Sequence, residues 1–256
     1  MDRRTFDGGI AALVSPELER QGFLVAFTER TGGVSDRPFD TLNLGFRTGD
    51  AAERIRSNRR RVVAALGIPP FAAARQVHGV QTAEVDTDLR GAGFDSPDSA
   101  VGEADVLFTR HREVPLAALV ADCVPLVLAS PDERLLVTVH AGWRGLAAGV
   151  FQRALASFDG RPAAVVGPAI GPCHYEVGED VAAAVAAGLP PGAAVVERHG
   201  RRTALDLPGS VARALAAEGI RTIELAEVCT ACHPERFFSH RRDGTTGRQA
   251  MVAVRR

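Results

Sequence analysis

This 256-residue chain reads as α+β: a single domain of mixed β-sheets flanked by outer helices. Three observations predict it. Short apolar, β-branched runs recur along the chain, most clearly over residues 116–129 and 135–140. Amphipathic stretches stopped by glycine or proline lie among them. The two kinds of segment do not alternate strictly, which fits mixed sheets between helices. At 256 residues the chain is long enough for one large core or two modest ones, its 46% hydrophobic content suits a water-soluble globular protein, and one domain is expected over 1–256.

Taken in order, the predicted strands are 23–28, 75–85, 104–108, 116–129, 135–140, 163–167, 221–227, 236–240 and 248–254. Predicted helices cover 52–66, 146–158, 179–187 and 208–218. Gly67, Gly188 and Gly219 mark C-terminal ends, and Pro208 fits a first turn. The basic run at 56–63 alternates with apolar positions and reads as the wet face of its helix. In "FFSHRRDGTTGRQA" the Asp-Gly pair suggests a hairpin turn. That hairpin would either project His240, Arg241 and Arg242 over a pocket or leave solvated arginines on an edge.

Charge and composition narrow the function. A net charge of -1 gives no electrostatic case for nucleic acid. No apolar stretch approaches the roughly 20 residues of a membrane span, and Asp7 with two glycines spoils a leader, so a cytoplasmic protein is expected. All 30 basic Lys/Arg positions are arginine. Schiff-base chemistry, pyridoxal attachment and a P-loop lysine are therefore excluded, and anion binding falls to arginine.

Three interrupted strands carry the chemistry. "RQVHGV" breaks its run at His78, and "VTVHAGWRG" places His140, Trp143 and Arg144 where a strand hands over to a helix. "ALVADCVPLVLAS" sets Asp122 and Cys123 inside an apolar run, followed by Pro125. A buried acid needs a partner or a function, and proline cannot continue a central ladder, so the chain should break there and open a site. His78, Cys123 and His140 are three donors suited to zinc with a fourth position open, as in a catalytic site. Any one of these histidines alone would more simply be a hydrogen-bonded structural residue.

A second group pairs Cys173 and His174 with Cys229, Cys232 and His233. Cys-x-x-Cys is a zinc or redox signal, but adjacent Cys173 and His174 look awkward for one ion. The expectation is buried, reduced thiols without a metal at Cys229 and Cys232. His111 and His199 lie in charged loops and are expected to be solvated.

Together these motifs resemble the laccase-domain or YfiH-like family, first described as polyphenol oxidases and associated with purine nucleoside phosphorylase and adenosine deaminase activity. The stretches that carry the resemblance are "FTERTGGVSDRPFDTLNLG", "RQVHGV", "ADVLFTR", "ADCVPLVLA", "VHAGWRG", "VGPAIGPCHYEVG" and "VCTACHPERFFSHRRDGTTGRQA". They run in order through nearly the whole chain. The one departure is His174, where the family pattern would have a second cysteine.

The resemblance implies His78, Cys123 and His140 as metal ligands, and a zinc enzyme that phosphorolyses adenosine, inosine or methylthioadenosine and deaminates adenosine. Its partners would be a purine nucleoside and phosphate, in a monomer or small homo-oligomer. Arg144 and Arg30 are candidates for phosphate, Asn43 for ribose or base, Trp143 for an apolar wall and Arg242 for the pocket rim. Asp122 would orient a ligand or relay a proton. Arg144 capping the fold, Trp143 in the core and Asn43 as a turn cap are the structural alternatives.

Two other classes stay open. The historical family name and the His2Cys set suggest a copper-dependent polyphenol oxidase, although the paired H-x-H motifs of a trinuclear copper cluster are lacking. Some relatives are linked to peptidoglycan precursor editing, for which Cys123 and His140 would form a nucleophilic dyad.

Overall fold

The computed structural model describes residues 1–200 and 202–256, and the backbone alone at His199. The expected solvation of the His199 side chain thus lies outside the described residues. The first strands are β1 (Asp2–Thr5), β2 (Ala11–Val14), β3 (Phe23–Thr28), β4 (Ala72–Ala73), β5 (Thr82–Glu84) and β6 (Val106–Thr109). Then come β7 (Leu116–Val120), β8 (Val124–Ser130), β9 (Leu135–Ala141) and β10 (Ala163–Val166). The last are β11 (Val195–His199), β12 (Arg202–Asp206), β13 (Ile223–Leu225) and β14 (Gln249–Arg255). One six-stranded sheet has the order β1-β2-β3-β14-β7-β4 and the other β13-β10-β8-β9-β6-β5, while β11 and β12 pair by themselves. Each large sheet mixes antiparallel pairs with a parallel edge pair, such as β4 with β7 and β5 with β6.

The strands alternate their side chains between layers, as a period of two requires. On β8, Val124, Leu126 and Leu128 enter one core, and Val127 and Ala129 another. On β14, Met251 and Ala253 face inward, while Ala250, Val252 and Val254 face out. The inward residues of both sheets make one shared core, so the sheets pack face to face.

Helices cover the outer faces. Over the first sheet lies α2 (Ala52–Leu66), with Val62 and Leu66, after the single turn and a half of α1 (Pro16–Arg20). Over the second lie α3 (Trp143–Ala147), α4 (Val150–Leu155), α5 (Glu179–Gly188) and α6 (Leu207–Ala217). The expected class, mixed sheets between outer helices, is what forms.

Several elements differ from expectation. The 116–129 run splits into β7 and β8 at Asp122, which has φ 91°. The 75–85 run keeps only β5, and His78 has φ 59°. The 146–158 helix starts earlier and divides into α3 and α4, because Gly149 takes φ 88° between them. Strands β1, β2, β4, β11 and β12 went unforeseen.

No strand forms over 236–240, and no hairpin follows. Phe237 and Phe238 are both fully buried, and Gln249 bonds the Phe238 backbone through its side chain. Ser239 caps a single turn, α7 (His240–Asp243), which Gly244 closes.

Arg59 is not on a wet face either. It falls on the buried stripe of α2 with Ile55, Val62 and Leu66, and its guanidinium donates to the Leu44, Gly93 and Phe94 carbonyls. Burial pushes its pKa down to about 9.

Candidate metal centre and cavity

The chain changes sheets twice close to one spot. Residues 121–123 carry it from β7 of the first sheet to β8 of the second, and residues 74–81 carry it from β4 to β5. Cys123 sits on the first crossover and His78 on the second. His140 lies near the end of β9, paired in register with Pro125, on the side that Leu136 turns toward the inter-sheet core. The expected break at Asp122 is thus a seam between sheets, and Pro125 sits where the β8 ladder begins.

The three donors converge. One ligand atom from each of His78, Cys123 and His140 lies within 4.8 Å of the others, and Cys123 Sγ is 3.8 Å from His78 Nε2. The two imidazoles meet edge to face at 4.7 Å between centroids. Gly142 covers the cluster: a Cβ there would stand 3.0 Å from His78 Cδ2 and 3.1 Å from Cys123 Sγ. A side chain at 142 would press directly on both donors.

Asp105, which the sequence reading passed over, organises this cluster. Its carboxylate accepts from His140 Nδ1 at 2.7 Å and from the backbone N–H groups of Val77, His78 and Gly79 at 3.2, 3.1 and 2.7 Å. One carboxylate therefore fixes the ring of one ligand and the loop that bears another. With Nδ1 engaged, His140 presents Nε2, the arrangement of a carboxylate–histidine–metal triad. Burial pushes the Asp105 carboxyl up, but His140 and the backbone donors outweigh it and hold it low. A signal existed: Asp105 is a buried acid at a strand start, the same oddity that singled out Asp122.

The electrostatics favour a thiolate. Burial raises the Cys123 pKa, yet His140 and His78 draw it down to about 6. Burial likewise lowers His140, but Cys123 and Asp105 lift it to about 9. A deprotonated sulfur with two imidazoles is the donor set of a borderline-soft divalent ion, which fits the residues present.

The trio opens on a cavity of about 460 Å3, within the range of small-molecule sites. Phe46 forms part of its wall, and Arg47, Arg75, Arg144 and Arg248 also line it. Arg144 is exposed and stacks over the ring of Trp143 at 4.5 Å. Arg248 donates to the Thr246 and Gly247 carbonyls at 3.0 and 2.9 Å, and burial lowers its pKa. Arg47, Arg248 and Phe46 were not singled out from sequence.

Other expected site residues lie elsewhere. Trp143 packs against the outer core and is not among the cavity-lining residues. Asn43 is fully buried and spends its amide on Thr48, Asp50 and the Gly45 and Arg248 N–H groups, which is the turn-capping alternative. Arg30 and Arg242 line a separate cavity of about 650 Å3 with Asp40 and Asp243. Arg30 holds the Asp40 and Pro234 carbonyls, and Arg242 those of Thr230, Ala231 and Phe237. Asp122 accepts from Thr230 Oγ1 at 2.6 Å and Arg241 N at 2.7 Å, so both oxygens hold the loop behind Cys123.

The second Cys/His group also differs from expectation. Cys173 and Cys232 are exposed and Cys229 is half-buried, so Cys229 and Cys232 are not buried thiols. His174 joins them, whereas His233 turns to Glu235 at 3.2 Å. His111 is exposed, as expected. None of the described helices is long and apolar enough to cross a membrane.

Comparison with known proteins extends the picture. Residues 24–256 match the family described as multi-copper polyphenol oxidoreductase laccase. The purine nucleoside phosphorylase YlmD of Geobacillus stearothermophilus is 36% identical over 249 residues, covering 92% of this chain and 91% of the relative. A purine nucleoside phosphorylase of Xylella fastidiosa is 42% identical over 246 residues, covering 91% and 92%. The crystal structure of the Bacillus licheniformis hypothetical protein YfiH superposes with a TM-score of 0.88 at 30% identity, covering 99% of both chains. Fold, length and sequence agree, and the chain belongs to the YfiH-like family, the one described as multi-copper polyphenol oxidoreductase laccase.

Proposed function

We propose that this chain is a zinc-dependent purine nucleoside phosphorylase acting on adenosine, inosine and methylthioadenosine, and that the same site deaminates adenosine. The observation that carries the reading is a three-donor cluster, open on one side, on the wall of a nucleoside-sized cavity whose lining includes Arg47, Arg75, Arg144 and Arg248. The names of the relatives support the substrate class. A fourth position left open by His78, Cys123 and His140 is what separates a catalytic zinc site from a structural one. Zinc bound there supplies Lewis acidity, for a substrate oxygen or for water.

The chain's own residues do the rest. Asp105 holds His140 in the tautomer that presents Nε2 and fixes the His78 loop. Gly142 keeps the approach to the donors clear. Phe46 gives the base an apolar surface, and the arginine forks match phosphate, so phosphate and the ribose anomeric carbon are brought together in one cavity. Asp122 acts as a positioning residue through the Thr230 loop and α7.

A single-domain enzyme over 1–256 is part of this reading. The juxtaposed Cys123 and His140 also suit a nucleophilic dyad, and zinc separates the two, because a bound ion occupies the thiolate. Metal-quantified protein incubated with each nucleoside, with and without phosphate, should release free base and sugar phosphate only when phosphate is present, and inosine from adenosine in its absence. Zinc-loaded protein that turns over none of the three overturns the proposal, as does copper as the ion that supports turnover.

A further inference from the structure

The second Cys/His group is built from two loops. The turn at 171–174 follows β10, and both His174 N and Tyr175 N donate to the Gly171 carbonyl, at 3.1 and 3.0 Å. That tight turn brings the side chains of adjacent Cys173 and His174 to one point, which chain spacing alone does not suggest. The second loop follows β13, where Cys232 N donates to Cys229 O at 3.2 Å and closes the Cys-x-x-Cys turn. Parallel bridging of Ala169 with Cys229, and the bond from Thr230 N to Ala169 O at 3.0 Å, lock the loops side by side.

The donor atoms fit one ion. Cys173 Sγ is 3.4 Å from Cys232 Sγ, and His174 Nδ1 is 3.4 Å from Cys173 Sγ, 3.4 Å from Cys232 Sγ and 3.9 Å from Cys229 Sγ. Zn–S bonds of about 2.3 Å and Zn–N bonds of about 2.0 Å place tetrahedral neighbours about 3.5 to 3.8 Å apart, close to these separations. All four atoms lie within 4.8 Å of one another. A further observation points the same way: the Gly171 N–H donates to Cys229 Sγ at 3.2 Å, a main-chain bond that stabilises sulfur as thiolate.

We propose that Cys173, His174, Cys229 and Cys232 form a second metal site, a closed Cys3His tetrahedron for zinc that is structural. Four protein donors fill the coordination sphere, so no position remains for substrate. The ion ties the 171–174 turn to the 229–232 loop. Thr230 in that loop holds Asp122 beside Cys123, and the carbonyls of Thr230 and Ala231 hold Arg242. Zinc here would therefore brace the back wall of the first centre. The three thiols bind as thiolates and give their protons to solvent, the neutral imidazole binds through its Nδ1 lone pair, and no redox step is involved.

Elemental analysis of the full chain purified with zinc and without added chelator tests this. The expected result is about two equivalents per chain, falling to about one in Cys229→Ala/Cys232→Ala and to about one in Cys123→Ala. His174→Cys, which keeps four donors, should retain the second equivalent, and His174→Ala should lose it. Cobalt loaded into Cys123→Ala should give the intense visible absorption of a tetrahedral three-thiolate site, a readout independent of activity and of how the double variant folds. A wild-type chain with one equivalent that vanishes in Cys123→Ala overturns the second site, as does a Cys173–Cys232 disulfide in place of the ion. One equivalent that survives Cys123→Ala and is lost from the double variant overturns the first centre instead.

Discussion

The two Cys/His clusters are built from the same residue types yet are held differently. In the first, the donors sit where sheets meet: His140 is buried in β9, its ring is fixed by Asp105, and the sulfur lies on a crossover between sheets. Three donors face a cavity. In the second, four donors sit on two surface turns, and Cys173, His174 and Cys232 are exposed. Donor count and support decide what each can do. A rigid, incomplete set leaves room for a reacting molecule, and a complete set on loops can only join them.

The contrast is broken most severely at the first cluster. Cys123→Ala should abolish its metal binding and lower kcat/KM for phosphorolysis at least about a thousandfold, since a Lewis-acid ion is worth several kcal/mol in the transition state. Steady-state kinetics beside elemental analysis will read both, and wild-type-like turnover in the variant removes the first cluster from the chemistry. Next in size, Asp105→Asn should weaken zinc affinity about 10- to 100-fold, because it unfixes the His140 tautomer and loosens the His78 loop together. Competition against a chelator measures it, and unchanged affinity would make Asp105 a bystander.

The arginine wall sharpens the comparison further. Loss of a charge-assisted anion contact costs about 1.5 to 3 kcal/mol, so Arg144→Ala should raise the apparent KM for phosphate at least about tenfold with zinc content and Tm nearly normal. Deamination, which consumes water, should change far less. Equal loss of both activities points to a capping role for Arg144. The smallest effect belongs to the exposed cluster: a chelator mild enough to strip only the second ion should lower Tm by about 4 to 8 °C, equivalent to about 2 kcal/mol for a chain of this size. A melting curve unmoved by that treatment would leave the loops braced by their hydrogen bonds alone.

Local chemistry made much of this legible in the chain. Helix α2 is bounded as its periodicity and Gly67 predict, and Asp206 and Pro208 start α6 one residue before expectation. The His78, Cys123 and His140 trio was visible because each residue disturbs an apolar strand, a signal carried within a few neighbours. Long-range partners carry no such mark. Asp105 lies 35 residues from His140, and nothing near either announces their bond.

The same limit separates the residues that were misjudged. Asn43 and Trp143 have side chains suited to a ligand, but the loop and the core claim them first. Arg59 joins a basic run, yet helical geometry alone turns it inward. Cys173 and His174 looked unsuited to one ion until a turn aimed both at the same point. Residue type, periodicity and capping depend on neighbours a few positions away and are written in the chain. Which sheet a crossover joins, and therefore which donors meet across 45 residues, depends on packing two sheets face to face and was decided only there.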